Sequence, residues 1–198
     1  MLAAVLSTLT RSKFLSWLLN MEQRAIGDLS VKDKKIIGRP IVYGSRSHDL
    51  GGFVEVIAHG AFSDSLQSDV RALVEHDHKL ILGRTGAGTM RIMEDNQGLI
   101  VEIDPPNTRS AQDLLVSIER GDIRGMSFGF TVPIGGDEWD YNTIPPTRVV
   151  KRAELKEVTV TSMPAYAATN VTVAQRALNS RAKAIQTHLK HLELLEVE

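Results

Sequence analysis

Residues 125–132 read GMSFGFTV. Two patterns overlap in them. As G-x-S-x-G, the stretch from Gly125 to Gly129 matches the sharp strand-to-helix elbow that presents a nucleophilic serine in α/β-hydrolases. As an alternation, Met126, Phe128, Phe130 and Val132 share one face of a strand, with Ser127, Gly129 and Thr131 on the other. The two readings lead to different folds. An elbow needs a helix after the serine and a histidine further along. FGFTVPIGG follows instead, which reads as strand, and the later histidines, His188 and His191, fall in a helical tail. The strand reading is therefore adopted. It puts an apolar face toward a core and leaves Ser127 unshielded between two glycines, where an extended peptide could lie. A serine on a solvent-facing strand, with glycines for tight packing, would give the same pattern.

Working outward, the signals are mostly of strand type. FVEVIA (53–58) is rich in β-branched residues and runs into a short helical piece, GAFSDSLQS. RALVEHDH followed by KLILGRT reads as a strand and a turn, and GTMRIMEDNQGLIVEID as a hairpin about EDNQG. Thr108 is placed to cap a helix over SAQDLLVSIERG, with Leu114, Leu115 and Ile118 as its apolar stripe and Gly121 as its stop. IGGDEWDYNTIPPT reads as a long polar loop. RVVKRAELKEVTVTSM reads as strand, ended by Pro164. In the tail, Leu178, Ile185 and Leu192 recur every seven residues, with Ala182 and Leu189 between them. That spacing predicts an amphipathic helix able to pack on a partner. The expected division is an N-terminal extension (1–30), a central domain (31–173) and a helical tail (174–198). The middle is expected to be α+β with many short strands, closer to a barrel than to a βαβ sheet.

Composition narrows the chemistry. The 198 residues carry a formal net charge of -1, which gives no general attraction to nucleic acid or to an anionic membrane. There is no cysteine, so disulfides, thiolate nucleophiles and Cys-zinc sites are excluded. No apolar run reaches the roughly 18 residues of a membrane span. The opening MLAAVLSTLTRSKFLSWLLNMEQRAI has its basic residues after the first apolar stretch, unlike a signal peptide, and Met21 is a candidate start.

A nucleophilic serine needs a base, and a neutral imidazole suits physiological pH. His48 and His59 lie in loop-like or helix-start settings, whereas His76 and His78 sit in VEHDHKL at a strand end. The same two histidines, with Glu75 and Asp77, could instead ligate a metal, but no third ligand with clear spacing accompanies them. No metal or other cofactor is expected. A third group should orient the base. Glu157 stands in a strand otherwise rich in Leu, Val and Thr, where a carboxylate requires a partner, in the simplest case a nearby Arg or Lys.

The blocks GRPIVYGS, DLGGFVEVIAHGAF, EHDH with LGRTGAGTMRI, GDIRGMSFGF and LKEVTVTSMPAY occur in that order over residues 38–169. In this the sequence resembles the HK97-like prohead (capsid maturation) proteases of tailed phages. The resemblance implies a mostly antiparallel β-barrel wrapped by helices, like the herpesvirus assembly protease. It implies a serine endopeptidase with Ser127 as nucleophile and His76 as base. Glu157 is the third member on this reading and His78 the alternative. Arg84, Phe128 and Gly129 are assigned to oxyanion stabilisation or support, although Arg84 could equally form a structural salt bridge. Thr159 stands where relatives carry serine, a conservative departure. The implied partners are a major capsid protein and its scaffold segment as substrates, with self-cleavage and self-association. The implied location is the immature capsid in the bacterial host cytoplasm. A non-catalytic assembly or scaffold protein on the same fold is the competing expectation.

Overall fold

The computed structural model describes residues 21–25 and 29–162. The C-terminal helical tail expected from the heptad spacing lies outside them. The chain forms β1 (Glu22–Ala25), β2 (Leu29–Lys32), β3 (Lys35–Val42), β4 (Val54–Ile57), β5 (Arg71–Val74), β6 (Asp77–Arg84), β7 (Met90–Asp95) and β8 (Gly98–Ile103). Then follow α1 (Arg109–Glu119), β9 (Gly125–Thr131), β10 (Asp137–Asp140), β11 (Thr147–Val150) and β12 (Glu154–Thr161).

The strands fall into three sheets, ordered β1-β9-β12-β5-β6, β10-β11-β4 and β2-β3-β8-β7. Pairing is antiparallel except for β12 with β5 and β11 with β4. The expected helix-wrapped barrel is not what forms. The five-stranded sheet ends at β1 and β6 without closing, and α1 is the one α-helix among the described residues. The physical reason lies in the segments between strands. GAFSDSLQS yields a 3-10 helix, Ser63–Gln67, too short to wrap a sheet. Within the described residues an apolar stripe at helical spacing occurs in α1 alone, where Ala111, Leu114, Leu115 and Ile118 are buried and Thr108 Oγ1 accepts from the Ala111 N–H.

Two loop-and-strand assignments also change. The polar stretch 134–147 contains β10, which pairs with β11. RVVKRAELKEVTVTSM is not one strand. It breaks at 151–153, where the Ala153 N–H turns to the Ala61 carbonyl, and its halves join different sheets. The hairpin of β7 and β8 forms as expected. Asp95 Oδ1 accepts from the Gln97 and Gly98 N–H groups, and Arg39 grips the same carboxylate with two nitrogens at 2.6 Å. Gly98 has φ 151°, and a Cβ there would sit 1.9 Å from the Ile41 carbonyl oxygen. No other residue fits the turn.

The core takes Met126, Phe128 and Phe130 from β9, and Leu155, Val158 and Val160 from β12. Phe62 meets Phe128 and Phe130 edge-on, with centroids 5.9 and 5.7 Å apart, and Phe128 stacks on Phe130. This is the alternation read in GMSFGFTV, and it sends Ser127 and Gly129 to the opposite face.

Candidate active site

β9 and β12 pair so that Ser127 faces Thr159 and Gly129 faces Glu157. Directly opposed residues of an antiparallel pair share a face, so these four line one side of the sheet. An irregularity in β12 makes this possible. Leu155 pairs with Phe130 and Glu157 with the adjacent Gly129, the register shifting between them. In a regular strand Leu155 and Glu157 would point the same way, into the core. The bulge at Lys156 turns the carboxylate over to the serine's face.

His76 arrives from the other side of β12. β5 runs parallel to β12, and β5 and β6 are joined by a two-residue turn made of Glu75 and His76. Both adopt left-handed backbone, with φ 49° and 57°. That turn favours Asn-Gly, so Glu-His is held there against its preference by surrounding contacts. Those contacts all land on the end of β12. The Glu75 N–H donates to the Val160 carbonyl at 3.0 Å, and the His76 N–H to Thr159 Oγ1 at 3.0 Å. The Glu75 carboxylate accepts from the Thr161 hydroxyl and the Ser162 N–H, each at 2.6 Å. Burial raises the Glu75 carboxyl pKa, but the hydrogen bonds from Ser162 and Thr161 and the nearby His76 outweigh it and hold the group below its ordinary value.

Clamped in this way, His76 places Nδ1 2.6 Å from Glu157 Oε1. Glu157 is 1% exposed and His76 22%. With Nδ1–H donating to the carboxylate, Nε2 carries the lone pair and is free to take a proton. Glu157 Oε2 is buried and accepts no hydrogen bond among the described residues. Gly129 explains how the carboxylate fits. A Cβ on Gly129 would lie 2.7 Å from Glu157 Oε1 and 3.0 Å from both Glu157 Cγ and Met21 Sδ. Chemically the face offers a hydroxyl, an imidazole and an orienting carboxylate, the set that acyl transfer through a serine requires.

The other expected site residues lie elsewhere or act differently. Arg84 pairs with Arg71 at the far end of the β5–β6 hairpin from His76, and it binds Asp69 through Nε at 2.7 Å. His78 lies two residues beyond the turn, on β6 and half-buried. The Phe128 ring is in the core, and the backbone of Phe128 and Gly129 runs between β1 and β12. The expectation of an unshielded serine is corrected: Ser127 is fully buried. Among the described residues no group of three or more His, Asp or Glu is arranged to hold a metal. No helix among them is long and apolar enough to cross a membrane.

Sequence reasoning missed three contributors. In the sequence Thr159 reads as a conservative departure and not as the acceptor for the His76 N–H. Glu75 reads as a possible metal ligand, whereas in the structure it anchors the turn. Met21, in the supposed extension, packs over Gly129. For Glu75 and His76, the shortness of the polar interval between RALV and KLIL was the available signal for a tight turn.

A family model described as Caudovirus prohead serine protease matches residues 20–184. The chain is also similar to the prohead protease of Enterobacteria phage HK97, with 32% identity over 117 residues, 56% of this chain and 48% of that protein. It thus spans about half the length of the curated relative it matches. No solved structure is detectably similar. The family match runs through every described strand and well over half of the chain, and the chain therefore belongs to the caudovirus prohead serine protease family.

Proposed function

We propose that this protein is a serine endopeptidase acting inside the immature phage capsid, in the bacterial host cytoplasm. Its substrates on this reading are the major capsid protein with its scaffold segment, and its own chain. The observation that carries the reading is the 2.6 Å contact of His76 Nδ1 with the buried Glu157, on the sheet face that Ser127 shares.

In the proposed reaction His76 Nε2 takes the Ser127 Oγ proton as Oγ attacks a peptide carbonyl carbon. Glu157 fixes the imidazole tautomer and stabilises the imidazolium. Backbone N–H groups of β9 near Phe128 and Gly129 are the candidate oxyanion donors once β1 no longer pairs with them, each typically worth about 2.7–4 kcal/mol of barrier. The imidazolium then protonates the leaving amine. Water then attacks the acyl carbon as His76 takes its proton, and the imidazolium passes that proton to Ser127 Oγ as the acyl–Oγ bond breaks.

The test is co-expression with the major capsid protein of the same virus, wild type beside Ser127→Ala and His76→Ala, read by intact mass. Discrete fragments with wild type and intact protein with both variants are expected. Equal cutting by wild type and Ser127→Ala would sink the assignment. The complete burial of Ser127 favours a second reading, a non-catalytic assembly protein on this fold. That reading requires that a fluorophosphonate label none of the three chains.

A further inference from the structure

We infer that β1 is a resident occupant of the peptide-docking edge of β9, and that an extended substrate segment takes the same edge after β1 leaves; this rests on the endopeptidase reading above. Strand β9 has two edges. One is closed by β12, which is itself held by β5 in the interior of the sheet. The other edge carries β1, four residues long, at the margin of the sheet. β1 runs antiparallel to β9, with Glu22 opposite Phe130, Gln23 opposite Gly129, Arg24 opposite Phe128 and Ala25 opposite Ser127. An extended peptide presented to Ser127 along β9 would need this row of backbone groups, since strand addition uses main-chain hydrogen bonds.

Two further observations mark β1 as an occupant of the site. Met21 Sδ reaches over Gly129, where it shares the space above that residue with the Glu157 carboxylate. Ala25 of β1 stands opposite Ser127, which is fully buried. The attachment of β1 is also built for release. Glu22 binds the buried Arg148 at 2.5 Å, but Arg148 also holds Glu55 at 3.0 Å and Asp137 at 2.7 Å. When β1 departs, the guanidinium keeps two carboxylates, and no unpaired buried cation is left to penalise the open state. Glu22 exchanges Arg148 for water.

The experiment uses full-length chains. Gln23→Pro breaks the β1 ladder and Glu22→Ala removes its anchor; the second variant serves if the first does not fold. In a Ser127→Ala background, binding of a fluorescein-labelled synthetic peptide of residues 20–27, NMEQRAIG, is measured by anisotropy. The strand variants should bind at least about tenfold more tightly than the Ser127→Ala parent, because the resident strand lowers the fraction of competent protein. Bound peptide should also protect the backbone amides of residues 127–130 from hydrogen exchange. Equal affinity in parent and variants, or no binding to either variant, overturns the inference. With Ser127 intact, fluorophosphonate labelling should speed up by a similar factor in the strand variants. Labelling that is fast and equal in all chains overturns the inference and leaves the enzyme reading standing. Peptide binding without labelling of any chain overturns the enzyme reading and keeps β9 as a peptide edge.

Discussion

His76 and Glu157 are 81 positions apart in the chain and meet at 2.6 Å. Neither residue sits in regular backbone. One is in a left-handed two-residue turn, and the other follows a bulge. The contact therefore depends on two local departures that place side chains where an unbroken hairpin and strand would not.

Glu157→Gln tests the orienting role. The amide can keep the shape but offers Nδ1 a donor or a neutral acceptor, which no longer favours the productive tautomer. Turnover should fall by about 10⁴-fold, in line with the amide replacement of the orienting carboxylate in other serine triads. Thermal stability should hold or rise, since a buried charge is removed. An unchanged rate measured on the natural substrate would remove Glu157 from the mechanism.

Gly129→Ala probes the space beneath the carboxylate. The new methyl would come within 2.7 Å of Glu157 Oε1 and 3.0 Å of Met21 Sδ, so both must move. A loss of about 1–3 kcal/mol in stability is expected, as for other overpacked interiors. The rate should drop with it as Glu157 shifts away from His76. Chemical denaturation and initial rates check the two effects, and wild-type values in both would show that the site has slack that the contacts do not suggest.

Thr159→Val replaces the hydroxyl that accepts the His76 N–H, at nearly constant volume. An unmet backbone donor costs about 1–3 kcal/mol. Most of the effect should appear in kcat, because the imidazole is displaced while a peptide-binding edge is not. Thr159→Ser should restore the rate. If valine and serine behave alike, the hydroxyl does not position the turn.

Glu75 makes the site sensitive to acid. Its folded pKa is depressed, so its contribution is fully present above the ordinary value of 4.5 and fades as pH falls through the lowered folded value. Glu75→Gln should lower Tm at neutral pH, and the gap from wild type should close below about pH 4.5 as the carboxylate protonates in both states. A gap that is constant with pH would assign the effect to packing instead of charge.

Much of the sheet was legible because its signals are local. The alternation in GMSFGFTV, the EDNQG hairpin and the Thr108-capped helix each carry their own pattern over a few residues, and each formed. Residue type and block order single out Ser127, His76 and Glu157; the structure brings His76 against Glu157 and sets Ser127 on the same face. What the sequence hid is non-local. A four-residue edge strand such as β1 takes its conformation from β9, so MEQRA read as extension. The parallel pairings of β12 with β5 and β11 with β4 leave no periodicity, and with them the barrel expectation failed. Left-handed backbone at Glu75 and His76 opposes local preference and is sustained by β12, so no propensity could reveal it.

β12 comes last among the described strands, yet it stands in the middle of its sheet, between β9 and β5. Every hydrogen bond that fixes the Glu75–His76 turn ends on it or just past it. A nascent chain still lacking residues 154–161 has both Ser127 and His76 but not the strand that lies between β9 and β5. The order of synthesis therefore leaves this face of the sheet unassembled until β12 has left the ribosome.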